Sequence, residues 1–146
     1  MLNFFKKLNV ASWLAFASVL AVLVAVIIFL INSTTGYLAG QPVDMLITLF
    51  SFLAAAVIVC TVVLYNRFSK FADIGLAVAV VFLIVCIVRL VLIRTIIFED
   101  VYFIPVNYPK AQGVATIVTI VAAVFYLISL GCLIASSFFK RLTKEN

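Results

Sequence analysis

The sequence predicts an all-α integral membrane protein: a single domain, residues 1–146, built as an up-down-up-down four-helix bundle with both termini in the cytoplasm. Three observations predict it: an apolar composition, four long apolar runs, and a one-sided distribution of Lys and Arg. Hydrophobic residues make up 68% of the 146 and charged residues 10%. A soluble domain carries about 45–50% apolar and about 25% charged residues. The mean hydropathy is +1.40, so lipid is the natural solvent for most of the chain.

The first eight residues place Met1, Phe4, Phe5 and Leu8 on one helical face and Asn3, Lys6 and Lys7 on the other. This pattern fits a short helix in the membrane interface or a basic tail. The first apolar run covers residues 12–32. At about 1.5 Å per residue it is about 30 Å long, enough to cross the hydrocarbon core. It exceeds the apolar region of a signal peptide, about 7–15 residues, and no small-residue cleavage site follows; it reads as a retained helix.

Residues 33–44 form the first outer loop, with Gly36, Gly40 and Pro42 as turn formers. The sequon at Asn32 lies too close to the membrane to read as a glycosylation site. The second span covers residues 45–65 and a short link covers 66–73. The third span covers residues 74–98 and is interrupted by Arg89 and Arg94. A second outer loop covers 99–113, and the fourth span covers 114–139. Runs this long cross lipid as helices, because each backbone polar group must be bonded within its own segment. Short links make successive helices antiparallel.

Lys6, Lys7, Arg67, Lys70, Lys140, Arg141 and Lys144 flank the spans on one side; Lys110 and Arg94 fall on the other. The positive-inside rule therefore puts both termini and the 66–73 link in the cytoplasm, with the bacterial cytoplasmic membrane as the expected location. The net charge of +5 serves this orientation and contact with anionic headgroups. No basic patch follows a nucleic-acid backbone. Ala17, Ala21 and Ala25 in the first span, Ala54 to Ala56 in the second, and Gly75 and Ala79 in the third are the small residues expected at helix contacts.

Few residues suggest chemistry. Cys60, Cys86 and Cys132 stand alone in apolar runs, and there is no histidine. No metal site, disulfide, bound cofactor or nucleotide is expected. No nucleophile-elbow, zincin or P-loop pattern occurs. A small proton-coupled exporter would need a carboxylate deep in a span, and none is present. The chain is expected not to be an enzyme.

A charge within a span is costly and marks a candidate site. Arg89 lies 16 residues beyond Asp73, about 24 Å along the helix, in the outer quarter of the membrane. Arg94 falls at the outer boundary, and both are long enough to reach headgroups. They point about 140° apart at 100° per residue. Either they snorkel and anchor the helix, or Arg89 turns inward to Asp44 and Glu99 or Asp100 pairs with Arg94. At least one such pair is expected near the outer face. Pairing of Arg89 with an acid on another subunit is the third reading. Asp44 and Asp73 also stand where helix caps are expected. Tyr37, Tyr102 and Tyr108 in the outer loops fit an aromatic belt or a recognition surface.

The expected role is that of a small non-catalytic accessory or structural subunit. Its partners are the lipid bilayer and either a larger membrane protein, such as a transporter, or another copy of itself. The alternative is an oligomeric small transporter or channel with Arg89 near its outer mouth. That alternative requires Thr48, Ser51, Thr61, Arg89, Thr116 and Thr119 to converge on one cavity.

Overall fold

The computed structural model describes residues 9–40, 42–64, 69–103 and 110–139. The N-terminal pattern of residues 1–8, the cationic side chains of the 66–73 link and the basic C-terminal tail therefore lie outside the described residues. Among the described residues four helices follow in order: α1 Val10–Thr34, α2 Met45–Leu64, α3 Ser69–Tyr102 and α4 Lys110–Phe138, with one 3-10 turn at Gly36–Leu38 after α1. Each of the four is long and apolar enough to cross a membrane. The chain is thus a small multi-pass membrane protein.

The helices outrun the predicted spans for identifiable reasons. Asn9 caps α1, its side chain accepting from the Val10 N–H at 3.0 Å. At the other end, Thr34 Oγ1 donates to the Leu30 carbonyl at 2.8 Å and Thr35 Oγ1 to that of Ile31 at 2.6 Å. These hydroxyls add second donors to carbonyls of the last turn, and Ser33 and Thr34 are helical rather than looped. α3 continues through Glu99 and Asp100 because no breaker precedes Pro105. Its earlier start, at Ser69, carries Asp73 into the second turn, where it is exposed. The capping role expected of Asp73 is therefore corrected.

α1 packs on α2 and α4, and α3 packs on the same two helices. α1 and α3 therefore face one another across the bundle axis, as do α2 and α4. The α1–α4 seam is antiparallel and in strict register. Ser136 Oγ donates to the Ala11 carbonyl at 2.8 Å, Ser129 Oγ to that of Ser18 at 2.9 Å, and Asn32 Nδ2 to that of Ala115 at 3.0 Å. Each step of seven or fourteen residues along α1 is matched by an equal step back along α4. The seam is a heptad of small or short polar residues: Ala11, Ser18, Ala25 and Asn32 against Ser136, Ser129, Ala122 and Ala115, all buried. Side chains this small let the backbones approach closely. Ala17 is exposed, which corrects its expected packing role. It is one residue, or about 100° of rotation, from the seam at Ser18. Ala21 and Ala25 are buried.

α2 and α3 make the other close approach at Gly75, where even a Cβ would run into the Thr61 hydroxyl. Along α3 the core positions are Ala72, Leu76, Ala79, Leu83, Cys86 and Leu90, again a heptad line. The outward faces carry Leu20, Ile27, Leu49, Phe52, Leu92 and Ile96, the apolar surface that lipid covers.

Candidate functional site

The polar side chains of the helices collect inside the bundle and towards the end that carries Asp44, Arg94 and Asp100. Asp44 stands immediately before α2 and divides its two oxygens between two tasks. Oδ1 accepts from the backbone N–H groups of Leu46 at 2.8 Å and Ile47 at 3.2 Å, which caps the helix. Oδ2 accepts from Arg89 Nη2 at 2.6 Å. Capping takes the oxygen that a two-pronged arginine pair would use, and Arg89 Nε is left buried without a partner. The pair sits at the rim: the Arg89 side chain is 41% exposed and that of Asp44 10%. It borders an open groove lined by Pro42, Val43, Met45, Leu46 and Ile93.

Burial pushes the Asp44 carboxyl up, but the hydrogen bond from Arg89, those from Ile47 and Leu46, and the arginine charge outweigh it. Its pKa is held below the ordinary value of 3.8. A carboxyl that titrates lower when folded stabilises the fold fully above its unfolded pKa and loses that contribution as pH falls through its folded pKa. Stability from Asp44 is thus constant at neutral pH and fades only below about pH 4. Asp44→Ala, which removes cap and pair together, is expected to lower stability by about 1–2 kcal/mol. Asp44→Asn retains a capping oxygen and is expected to lose less than about 1 kcal/mol. Denaturant titration of both variants at pH 7 checks the order, and equal losses would remove the capping role.

Arg94 departs from expectation. It is 4% exposed and occupies the core line of α3 between Leu90 and Ile97. Its Nη2 donates to Ser33 Oγ on α1 at 2.7 Å, and its guanidinium carbon lies 5.7 Å from the centre of the Phe29 ring. Its Nε has no hydrogen-bond partner. The expected pairing with Glu99 or Asp100 does not form. Glu99 is five residues on, about 140° around the helix, and Asp100 six; same-helix pairs need a spacing of three or four. Glu99 is exposed. Asp100 turns to α4, where its Oδ2 accepts from Gln112 Nε2 at 3.0 Å.

Among the tyrosines, Tyr37 is exposed beside Asn32 in a half-open cavity of about 110 Å³. Tyr102 is exposed and stacks on Phe98, ring centres 6.4 Å apart. Tyr108 lies outside the described residues. The structure thus brings Arg89 to Asp44 but leaves Arg94, Glu99, Asp100, Tyr37 and Tyr102 without a shared site.

Sequence reasoning missed the interior network. Ser51 Oγ and the Tyr126 hydroxyl are 2.7 Å apart, joining α2 to α4 across the bundle axis. Cys86 Sγ is 3.5 Å from the same serine. Asn32 Nδ2 also donates to Thr119 Oγ1 at 2.9 Å. The heptad spacing of Ser18, Asn32, Ser129 and Ser136 was the signal that could have found the seam. Likewise, extending the Ala72–Leu90 line by one turn reaches Arg94. Among the described residues no group of three or more His, Cys, Asp or Glu is placed to hold a metal. No family model, no curated protein and no solved structure matches the chain.

Proposed function

We propose that this multi-pass membrane protein is a non-catalytic accessory or structural subunit, packing against a larger membrane protein or against another copy of itself. We further propose that it lies in a bacterial cytoplasmic membrane with both termini inside and the Arg94 end outward. The observation that carries the reading is the use made of its polar side chains. Among the described residues, the buried hydroxyl and amide side chains of the helices bond other helices or their own backbone. Ser51 meets Tyr126, Thr61 donates to the Val57 carbonyl, Thr116 to that of Gln112 and Thr119 to that of Ala115. Thr48 donates to the Asp44 carbonyl. Of the six residues a conducting path would need, one, Arg89, lines the groove beside Asp44, and none lines the cavity beside Tyr37. Hydrogen bonds of this kind hold a bundle together, and the apolar exterior leaves association within the bilayer as its means of action.

Extraction of the membrane into polymer-bounded nanodiscs, followed by native mass measurement, tests the subunit role. The expected particle contains more than one polypeptide; a folded lone chain of 16.0 kDa would overturn the proposal. Orientation has its own test, on a background with the three native cysteines replaced. Tyr37→Cys is expected to react with an impermeant maleimide in intact cells, and Lys144→Cys only after permeabilisation. The reverse order would invert the topology.

A further inference from the structure

Arg94 is a buried cation with an unfinished set of partners. Among the described residues no carboxylate lies within 4.0 Å of it; the ion pair present is the one between Arg89 and Asp44. Its hydrogen-bond acceptor is a neutral hydroxyl, Ser33 Oγ. An unpaired charge in a low-dielectric interior is among the most costly features a fold can carry. The residue nevertheless occupies a core position, 4% exposed, where the preceding core residue of the same helix is a leucine.

The unused donors share one place. Nε and Nη2 form one edge of the planar guanidinium, the edge that grips carboxylate and phosphate oxygens in a two-pronged bond. Nη2 has one bond to Ser33, and Nε has none. Ser33 accepts from Arg94, and its own hydroxyl proton has no acceptor among the described residues. A positive charge, a free N–H and a free O–H therefore meet where α3 reaches across the bundle axis to α1. Apolar groups enclose them. The Phe29 ring lies against the guanidinium, and Leu38, Ile97, Val101 and Ala115 cluster a turn further along. Low-dielectric walls strengthen any charge interaction inside them. The acids nearest in sequence are committed elsewhere or turned away: Asp100 to Gln112, Asp44 to Arg89, and Glu99 to the exterior.

We propose that Arg94 and Ser33 form a binding site for one phosphate-type oxyanion, supplied either as free inorganic phosphate or as the phosphate of an anionic lipid headgroup. The anion accepts from Arg94 Nε–H and from the Ser33 hydroxyl and neutralises the buried charge. The site is separate from the Arg89–Asp44 pair, which is already neutral.

The test uses the full chain in nanodiscs and reads thermal unfolding. In phosphatidylcholine discs, inorganic phosphate is titrated at constant ionic strength; in a second series the discs carry increasing phosphatidylglycerol without phosphate. A saturable upward shift in the first series identifies the free anion, and one confined to the second identifies the lipid. In either case Arg94→Met is expected to abolish the shift, Ser33→Ala to weaken apparent affinity about tenfold through loss of one charge-assisted donor, and Arg89→Gln to leave it unchanged. Absence of a saturable shift in both series overturns the proposal, as does an equal shift in Arg94→Met. If Arg94→Met fails to fold, Ser33→Ala and Arg94→Lys decide: unchanged affinity in both overturns it, and weakened affinity in both supports it.

Discussion

Replacing Tyr126 with alanine is expected to lower the unfolding free energy by about 3–5 kcal/mol, the usual cost of removing a buried aromatic ring. Among the described residues Tyr126 is the largest fully buried side chain, and it stands on α4 with its hydroxyl against Ser51 of the diagonally opposed α2. In lipid the driving force for packing helices is close contact rather than escape from water, so an empty volume at the axis loses contacts to all the surrounding helices at once. Tyr126→Phe separates the two contributions. It keeps the ring and loses the hydroxyl, and the remaining Ser51 hydroxyl still donates to the Ile47 carbonyl at 2.7 Å. Its expected loss is about 0.5–1.5 kcal/mol. Reversible unfolding in mixed micelles, titrated with a denaturing detergent, gives both values. Equal losses for the two variants would assign the stability to the hydrogen bond and contradict the packing argument.

The second large effect is expected at Gly75. Any side chain there meets Thr61, whose hydroxyl is tethered to the Val57 carbonyl at 2.7 Å. Relief requires the α2–α3 contact to open or the threonine to leave its bond. Gly75→Ala is expected to destabilise by about 1–3 kcal/mol, although alanine is the better helix former by about 1 kcal/mol. Thr61→Ala removes the offending oxygen. The double variant is expected to recover most of the loss, giving a coupling energy of at least about 1 kcal/mol in a double-mutant cycle. Strict additivity would show that the two helices do not meet at this point.

The architecture was legible because the physics that sets it is coarse. Lipid demands helices about 20 residues long, and the four apolar runs supply them. The spans at residues 12–32 and 45–65 differ from α1 and α2 by two residues or fewer at each end. The third and fourth helices were less legible. Hydropathy falls at Glu99 and at Gly113, but helix formation does not: α3 runs to Tyr102 and α4 starts at Lys110. The site was only partly legible. Asp44 and Arg89 lie at a helix start and near the matching end of its antiparallel neighbour, so their meeting follows from topology. The direction of Arg94 does not follow from hydropathy, because a depth estimate carries no information about rotation around the helix. That information resides in the heptad line Ala72–Leu76–Ala79–Leu83–Cys86–Leu90. The alanine-rich background hid the seam in the same way. Ala17 and Ala25 are indistinguishable by composition, and only the seven-residue spacing from Ala11 and Ser18 selects the second.

The α1–α4 seam also has a consequence for biosynthesis. α1 leaves the ribosome before α2, α3 and α4, so a contact joining Ala11 to Ser136 cannot form until α4 has been made. During that interval Ser18 and Asn32 lack the partners that α4 supplies, Ser129, Ala115 and Thr119. A segment waiting in the bilayer with unmet polar groups is a substrate for insertion chaperones and for membrane proteases that survey incomplete bundles. Arrival of α4 closes the ring and supplies those partners, so the polar groups of α1 depend on α4 for their bonds.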